Sequence, residues 1–435
     1  MIKRIWLRAG VILLVLFAVS SVASSWVVEK EDDLRPRAKG GEQDINPGQP
    51  EFVRDQEQYR TNLRRYIGQI KSHWGRAEVS DATTWVVYSD TWLVKRVVDF
   101  KANEVRVTLP RVEKNGRIDF IKTNAAVKAE LVELLLTDMQ SAYEEDPIST
   151  TIPRDIKGDR KYLASLGDDL VLSELFAAER PSSRDVERLA AKLMLSALIT
   201  YQQNLAALSS GPSNLSLPPV IDSEKHNIRV NSVMPSVSVP VTLNKKLTYT
   251  VPLPKDRLRK KAKELKSTVT HYAAQHNVPP DVLFAIIHTE SHFNPLARSP
   301  VPAYGLMQIV PSTAGRDASR VLFDKSKRFS ASYLYNPKNN IELGAAYLNL
   351  IYYQYLGGIG KPKSRLYCAI AAYNTGAANV AKAFIRKPQM NKAIPQINKM
   401  SDDEVLERLL EGLSAKETRE YLKKVLSRRA LYKNV

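Results

Sequence analysis

Apolar residues recur at helical spacing along most of this chain and alternate with polar ones in a few shorter stretches. Between residues 51 and 74, Tyr59, Leu63, Tyr66, Ile67, Ile70 and Trp74 fall on one helical face. Residues 84–100 and 103–109 are rich in β-branched and aromatic side chains, which predicts strands. A helix is expected over 125–143, with Leu131, Leu134, Leu135 and Met139 on one side, and a longer one over 183–208. Strands are expected again at 227–239 and 246–253, with Pro235 and Pro240 at their edges. From Lys255 the pattern turns almost wholly helical. An amphipathic helix over 255–277 stops before Pro279-Pro280, and Asp281 is placed to cap the next one. Further helices are expected at 341–355, ended by Gly357-Gly358, and at 365–373. Ser401 with Glu404, and Ser414 with Glu417, have the spacing of capping boxes. The expected architecture is an α+β N-terminal domain over residues 51–250 followed by a mainly α domain over 251–435.

Composition adds three things. A chain of 435 residues with 44% apolar and 25% charged residues is an ordinary globular protein with room for two or three domains. The net charge of +18 is uneven: residues 251–435 carry 30 Lys and Arg against 14 Asp and Glu, a net of +16. A basic domain suits an anionic partner, but Arg257, Arg259, Lys260, Lys261 and Lys263 lack interleaved aromatics or a nucleic-acid motif and read as a solvated face. The single cysteine, Cys368, excludes an internal disulfide and reads as a small core residue.

The start of the chain has the form of a targeting segment. Lys3, Arg4 and Arg8 precede an apolar run, and Ser21-Val22-Ala23 fits a cleavage rule for small residues. Residues 1–28 are expected to be a signal peptide or, as the alternative, an uncleaved anchor. Residues 29–50, charged and rich in Gly and Pro, read as a linker. No cysteine follows the apolar run, so attachment of lipid at an N-terminal cysteine is not expected.

Chemistry concentrates around Glu290. The residues before it, Val282, Leu283, Ala285, Ile286 and Ile287, predict a helix buried nearly all round, and Asn294-Pro295 ends it. A carboxyl group at the end of such a helix needs a partner or a function, and burial raises its pKa toward the range of a general acid. After it come Ala303-Tyr304-Gly305-Leu306-Met307-Gln308, then Ala371-Ala372-Tyr373-Asn374, then Glu417-Thr418-Arg419-Glu420-Tyr421.

In this order these blocks resemble the family 1 lytic transglycosylases of bacterial cell walls, over about residues 255–435. In layout the whole chain is similar to the membrane-bound lytic murein transglycosylase C subfamily, which is typically lipid-anchored at a cysteine absent here. The resemblance implies a lysozyme-like catalytic domain acting on peptidoglycan glycan strands in the periplasm of a Gram-negative cell. It implies that Glu290 acts first as acid and then as base. Ser299 would hydrogen-bond near it, Gln308 and Asn374 would bind sugar, and Gly305 would permit close approach to the sugar. Tyr373 would orient Glu290, and Tyr421 would line or support the groove. Glu417 is either a substrate contact or the cap of its own helix.

Other chemistries fit less well. His288 and His292 share a helix face, but the spacing is not His-Glu-x-x-His, so no metal is expected. No cofactor and no nucleic-acid partner are expected. Asp317, Asp324 and Glu342 lie in polar stretches that suit solvated or capping roles, which leaves no second carboxylate for ordinary glycoside hydrolysis. A goose-type hydrolase and an idle wall-binding scaffold remain the alternatives.

Overall fold

The computed structural model describes residues 27–28, 50–115, 117–149, 159–178, 180–209 and 246–435. The expected signal segment up to residue 26, the linker over 29–49 and the strand at 227–239 lie outside them.

The helix Pro50–Trp74 buries the apolar face read from its sequence, and all six of those residues form a small core with Ala77, Val79 and Ile148. A four-stranded antiparallel sheet follows: β1 (Thr84–Tyr88), β2 (Lys95–Asp99), β3 (Glu104–Pro110) and β4 (Lys246–Pro252), in that spatial order. Alternation decides which face of the sheet is covered. Val105, Val107 and Leu109 of β3 and Leu247, Tyr249 and Val251 of β4 are buried, under the helices Phe120–Leu136 and Ser183–Ser209. The helix expected over 125–143 is two. Thr137 leaves the first in an extended conformation. Asp138 starts Met139–Glu144 with its side chain, which accepts from the Ser141 N–H at 2.7 Å, an alternative that short polar residues offer the backbone.

The second half is helical, as expected. The continuous helix expected over 255–277 bends at Leu265 into Arg257–Glu264 and Lys266–Gln275. The one expected over 341–355 begins earlier, at Pro337 behind an Asn336 cap, and its last six residues widen into a π-turn, Leu350–Tyr355. The capping box of Ser401 and Glu404 is present. That of Ser414 and Glu417 is not: the last helix, Lys416–Tyr432, starts behind Ala415 with no side-chain cap. Asp281 does not cap either. It lies inside the first turn of Pro280–Ser291, where its carboxylate pairs with Arg429 of the last helix at 2.7 Å.

The two halves share one continuous hydrophobic core, from Trp85 in the sheet to Tyr432 in the last helix. One expectation about their join is corrected. The basic helix is not simply a solvated face. Arg257 and Lys261 are buried, and both pair with the buried Glu174, at 3.0 and 3.5 Å. Arg257 also donates to the Asn103 side chain at 2.8 Å and the Phe100 carbonyl at 3.0 Å. This buried cluster ties the sheet to the helical half.

Candidate active site

The helix Pro280–Ser291 is the axis of the site. Pro280 pre-sets its first turn, and every side chain from Val282 to His288 is buried. It stops sharply. His292 (φ 51°) and Phe293 (φ 63°) both take the left-handed conformation, which is uncommon for residues with a side chain. Ser291 supports the turn by donating to the Ile287 carbonyl at 3.0 Å and accepting from the Phe293 N–H at 3.1 Å. Arg257 reaches the same corner, donating to the His292 carbonyl at 3.4 Å.

Glu290 lies in the last turn, with 6% of its surface accessible. Two tyrosines from other helices, Tyr373 and Tyr421, are coupled to it. Burial raises the phenol pKa of each well above its usual value, and the Glu290 charge is the next cause for both. Tyr373 donates its hydroxyl proton to the Met307 carbonyl at 2.9 Å, and its ring lies 5.5 Å from that of Tyr347. The Tyr421 hydroxyl faces Glu290 with a geometry short of a well-formed hydrogen bond. Thus Glu290, Tyr373 and Tyr421, far apart in sequence, are brought together.

Gln308 sits at φ 49° with its side chain buried. Its amide nitrogen donates to the Ala297 and Gly305 carbonyls at 3.0 and 3.1 Å, which leaves Oε1 buried with no protein donor. A fixed acceptor of this kind suits a hydroxyl or amide N–H brought by a ligand. Gly305, at φ 75°, is needed for another reason than approach to a ligand. A Cβ there would come within 3.0 Å of both the Leu334 carbonyl oxygen and the Asn340 side chain, so only glycine combines this conformation with this space.

The remaining expected residues are placed differently. The Ser299 hydroxyl points to the Val301 carbonyl within its own loop. Asn374 is buried and accepts a hydrogen bond from Thr418 at 2.8 Å. Glu417 is exposed, and its neighbour Thr418 is the buried member of that run. Among the other carboxylates, Asp317 pairs with Arg320 at 2.8 Å, Asp324 is exposed at a helix C-terminus, and Glu342 is half-buried.

Sequence reasoning missed Asn340. It is fully buried and pins the loop that carries Gln308: its side chain accepts from the Met307 N–H at 2.7 Å and donates to the Tyr304 and Leu334 carbonyls at 2.8 and 2.7 Å. Its only signal was an asparagine on the apolar side of a helix. Arg428 was missed as well. It donates to His292 Nε2 at 3.3 Å, while Tyr432 bonds His288 Nδ1 at 2.8 Å. Burial, then the neighbouring cations, hold His288 at about 3; burial, then His288 and Arg428, hold His292 at about 2. The pair is therefore neutral.

Residues 267–395 match the family profile of the transglycosylase SLT domain. This part of the chain is an SLT domain. Across 184 residues the chain is 41% identical to the membrane-bound lytic murein transglycosylase C of Yersinia pestis (strain Pestoides F), covering 42% of this chain and 51% of that protein. The same figures hold for the enzyme of that name from Yersinia pseudotuberculosis serotype O:1b (strain IP 31758). The chain therefore spans about half the length of the curated relatives it matches. Among solved structures, the 70 kDa soluble lytic transglycosylase of Escherichia coli is 28% identical, with a TM-score of 0.31, over 41% of this chain and 25% of that one. Glu290, Gln308 and Tyr373 all lie inside the SLT domain; Thr418 and Tyr421, which contact the site, lie beyond the matched residues.

Proposed function

We propose that the chain is a peptidoglycan lytic transglycosylase that cleaves the β-1,4 bond between MurNAc and GlcNAc without consuming water. The observation that carries this reading is a buried Glu290 at the end of an apolar helix, with Tyr373 and Tyr421 near enough for its charge to raise their phenol pKa values, within an SLT domain.

In the proposed reaction Glu290 gives its proton to the glycosidic oxygen as the bond to the MurNAc anomeric carbon breaks. The resulting carboxylate takes the proton of the MurNAc 6-hydroxyl, whose oxygen bonds to that carbon. The products are a 1,6-anhydroMurNAc end and a free GlcNAc hydroxyl, and Glu290 ends as it began. An intramolecular nucleophile has a large effective concentration, which is how one carboxyl group suffices. Tyr373 and Tyr421 lie near the carboxyl group, and Gln308 Oε1, which has no protein donor, accepts a hydrogen bond from the sugar. Asn374, Ser299 and Glu417 are assigned to the groove around this centre. The net charge of +16 over residues 251–435 suits a polymer that bears carboxylates.

Such a substrate places the protein in the cell envelope, on the periplasmic side of a Gram-negative cell. Among the described residues no helix is long and apolar enough to cross a membrane.

The test is mass spectrometry of soluble products released from purified sacculi. Anhydro-ended muropeptides are expected from the wild type, and none from Glu290→Gln with an unchanged circular dichroism spectrum. Products heavier by one water would mean hydrolysis, and sacculus binding without release would mean a scaffold. Activity retained by a folded Glu290→Gln would remove that residue from the mechanism.

A further inference from the structure

The loop between Glu290 and Gln308 is held near Asn294–Ser299 by the N-terminal part of the chain. Arg298 is almost fully buried, and its guanidinium is ion-paired with Asp146. Asp146 is itself fixed: it accepts from the Ile148 N–H at 3.1 Å and from the Ser149 hydroxyl at 2.5 Å, and Ser149 meets the Tyr335 hydroxyl at 3.2 Å. The Arg298 N–H donates to the Asp81 carbonyl at 3.3 Å, and the Asn294 amide donates to the Ala82 carbonyl at 3.4 Å. Tyr59, buried on the helix Pro50–Trp74, donates its hydroxyl to the Ser299 carbonyl at 3.1 Å. Three separate N-terminal segments therefore grip one short stretch of the SLT domain.

The other side of that stretch faces the site. The Ala297 carbonyl, one residue before Arg298, accepts both the Gln308 side-chain amide at 3.0 Å and the Gly305 N–H at 2.8 Å. The N-terminal grip on Arg298 and Ser299 is thus one peptide unit from the group that sets the direction of Gln308. These contacts act on loop backbone and on Arg298, not on Glu290 itself.

We propose that the N-terminal part is a positioning element for the active site, with Asp146–Arg298 and Tyr59 setting the loop that orients Gln308. Tyr59, Asp146 and Arg298 are positioning residues, and their effect on catalysis rests on the transglycosylase reading above. An isolated misplacement of about 1 Å at a reacting group can cost on the order of a hundredfold in rate. Asp146→Asn leaves a buried guanidinium uncompensated beside this loop, whereas Tyr59→Phe removes a single hydroxyl.

The test uses the full chain. Turnover of soluble glycan strands is measured well below the melting temperature, with amide hydrogen exchange at Gly305 followed in the same samples. For Asp146→Asn, kcat is expected to fall at least about tenfold with KM changed less than about twofold. Tyr59→Phe is expected to lower kcat about threefold with its melting temperature nearly unchanged, and Arg298→Lys to retain more activity than Arg298→Met. Exchange at Gly305 should accelerate in each impaired variant. Unchanged kcat and unchanged Gly305 exchange in folded Tyr59→Phe and Asp146→Asn would overturn the proposal, as would a loss of rate matched by the unfolded fraction. If the wild type releases no product, the functional reading fails, and Gly305 exchange alone then decides whether these residues set the loop.

Discussion

Replacing Glu174 with glutamine tests whether the two halves are joined by a charge cluster whose balance matters. Glu174 and Arg257 have no accessible side-chain surface, and Lys261 has 5%. The substitution keeps the shape but removes the one negative charge that serves both cations. Lys261 retains Glu264 at 2.8 Å, a partner on the surface; Arg257 retains the neutral Asn103 side chain, two backbone carbonyls and the face of the Phe100 ring, none of which carries a negative charge. Breaking a buried pair by removing one partner costs about 3–5 kcal/mol, because the remaining charge is stranded away from water. The upper half of that range is expected here, since two cations are affected. The assay is urea unfolding followed by tryptophan fluorescence and circular dichroism. A second variant separates charge from packing: Glu174→Leu with Arg257→Met removes both ions, and apolar replacements of a buried pair are often neutral. The double variant should therefore be more stable than Glu174→Gln. A loss below about 1 kcal/mol in Glu174→Gln, the size of an exposed pair, would refute the reasoning.

Two further outcomes follow from the site. Gly305→Ala should destabilise the protein by about 2–5 kcal/mol, combining a left-handed alanine with overlap onto a backbone carbonyl; a melting temperature within experimental error of the wild type would contradict this. Stability should also fall as pH drops from 7 to 5. His288 and His292 stay neutral in the native state down to about 3 and about 2, while in the unfolded chain they bind protons below about 6.5. The unfolded state therefore gains protons that the native state refuses, at up to ~1.4 kcal/mol per pH unit for each histidine, and about 2–4 kcal/mol is expected over that interval. Equal urea midpoints at pH 7 and pH 5 would exclude it.

Periodicity made the elements legible wherever one face is apolar. The face of Pro50–Trp74, the alternation in β3 and β4 and the buried helix before Glu290 could all be read directly from the sequence. Breaks set by one local hydrogen bond could not, as at Asp138. The candidate site was legible in its chemistry, since Glu290, Gln308 and Tyr373 stand in recognisable runs. What holds them was not. Arg257, Arg298 and Asn340 carry polar groups whose partners lie tens to more than a hundred residues away, and a lone arginine in a basic stretch looks solvated until its carboxylate is located. Thr418 was overlooked for the same reason: its partner Asn374 is on another helix.

The place of β4 in the sheet sets an order for the protein's manufacture. Thr108 of β3 meets Thr248 of β4 although the greater part of the N-terminal half lies between them in the chain. The long loop that joins the two must be completed before the pair can form. During synthesis β3 therefore waits with one row of backbone N–H and C=O groups unmatched, an edge that invites pairing with another chain. The strand that covers it is followed after only four residues by the helix of Arg257, so closure of the sheet brings that helix to the buried Glu174 before the later helices have been made. A nascent chain halted before Lys246 would carry the helix of Tyr59 and the Asp146 clamp with nothing to hold, and an open sheet edge that a holding chaperone would recognise.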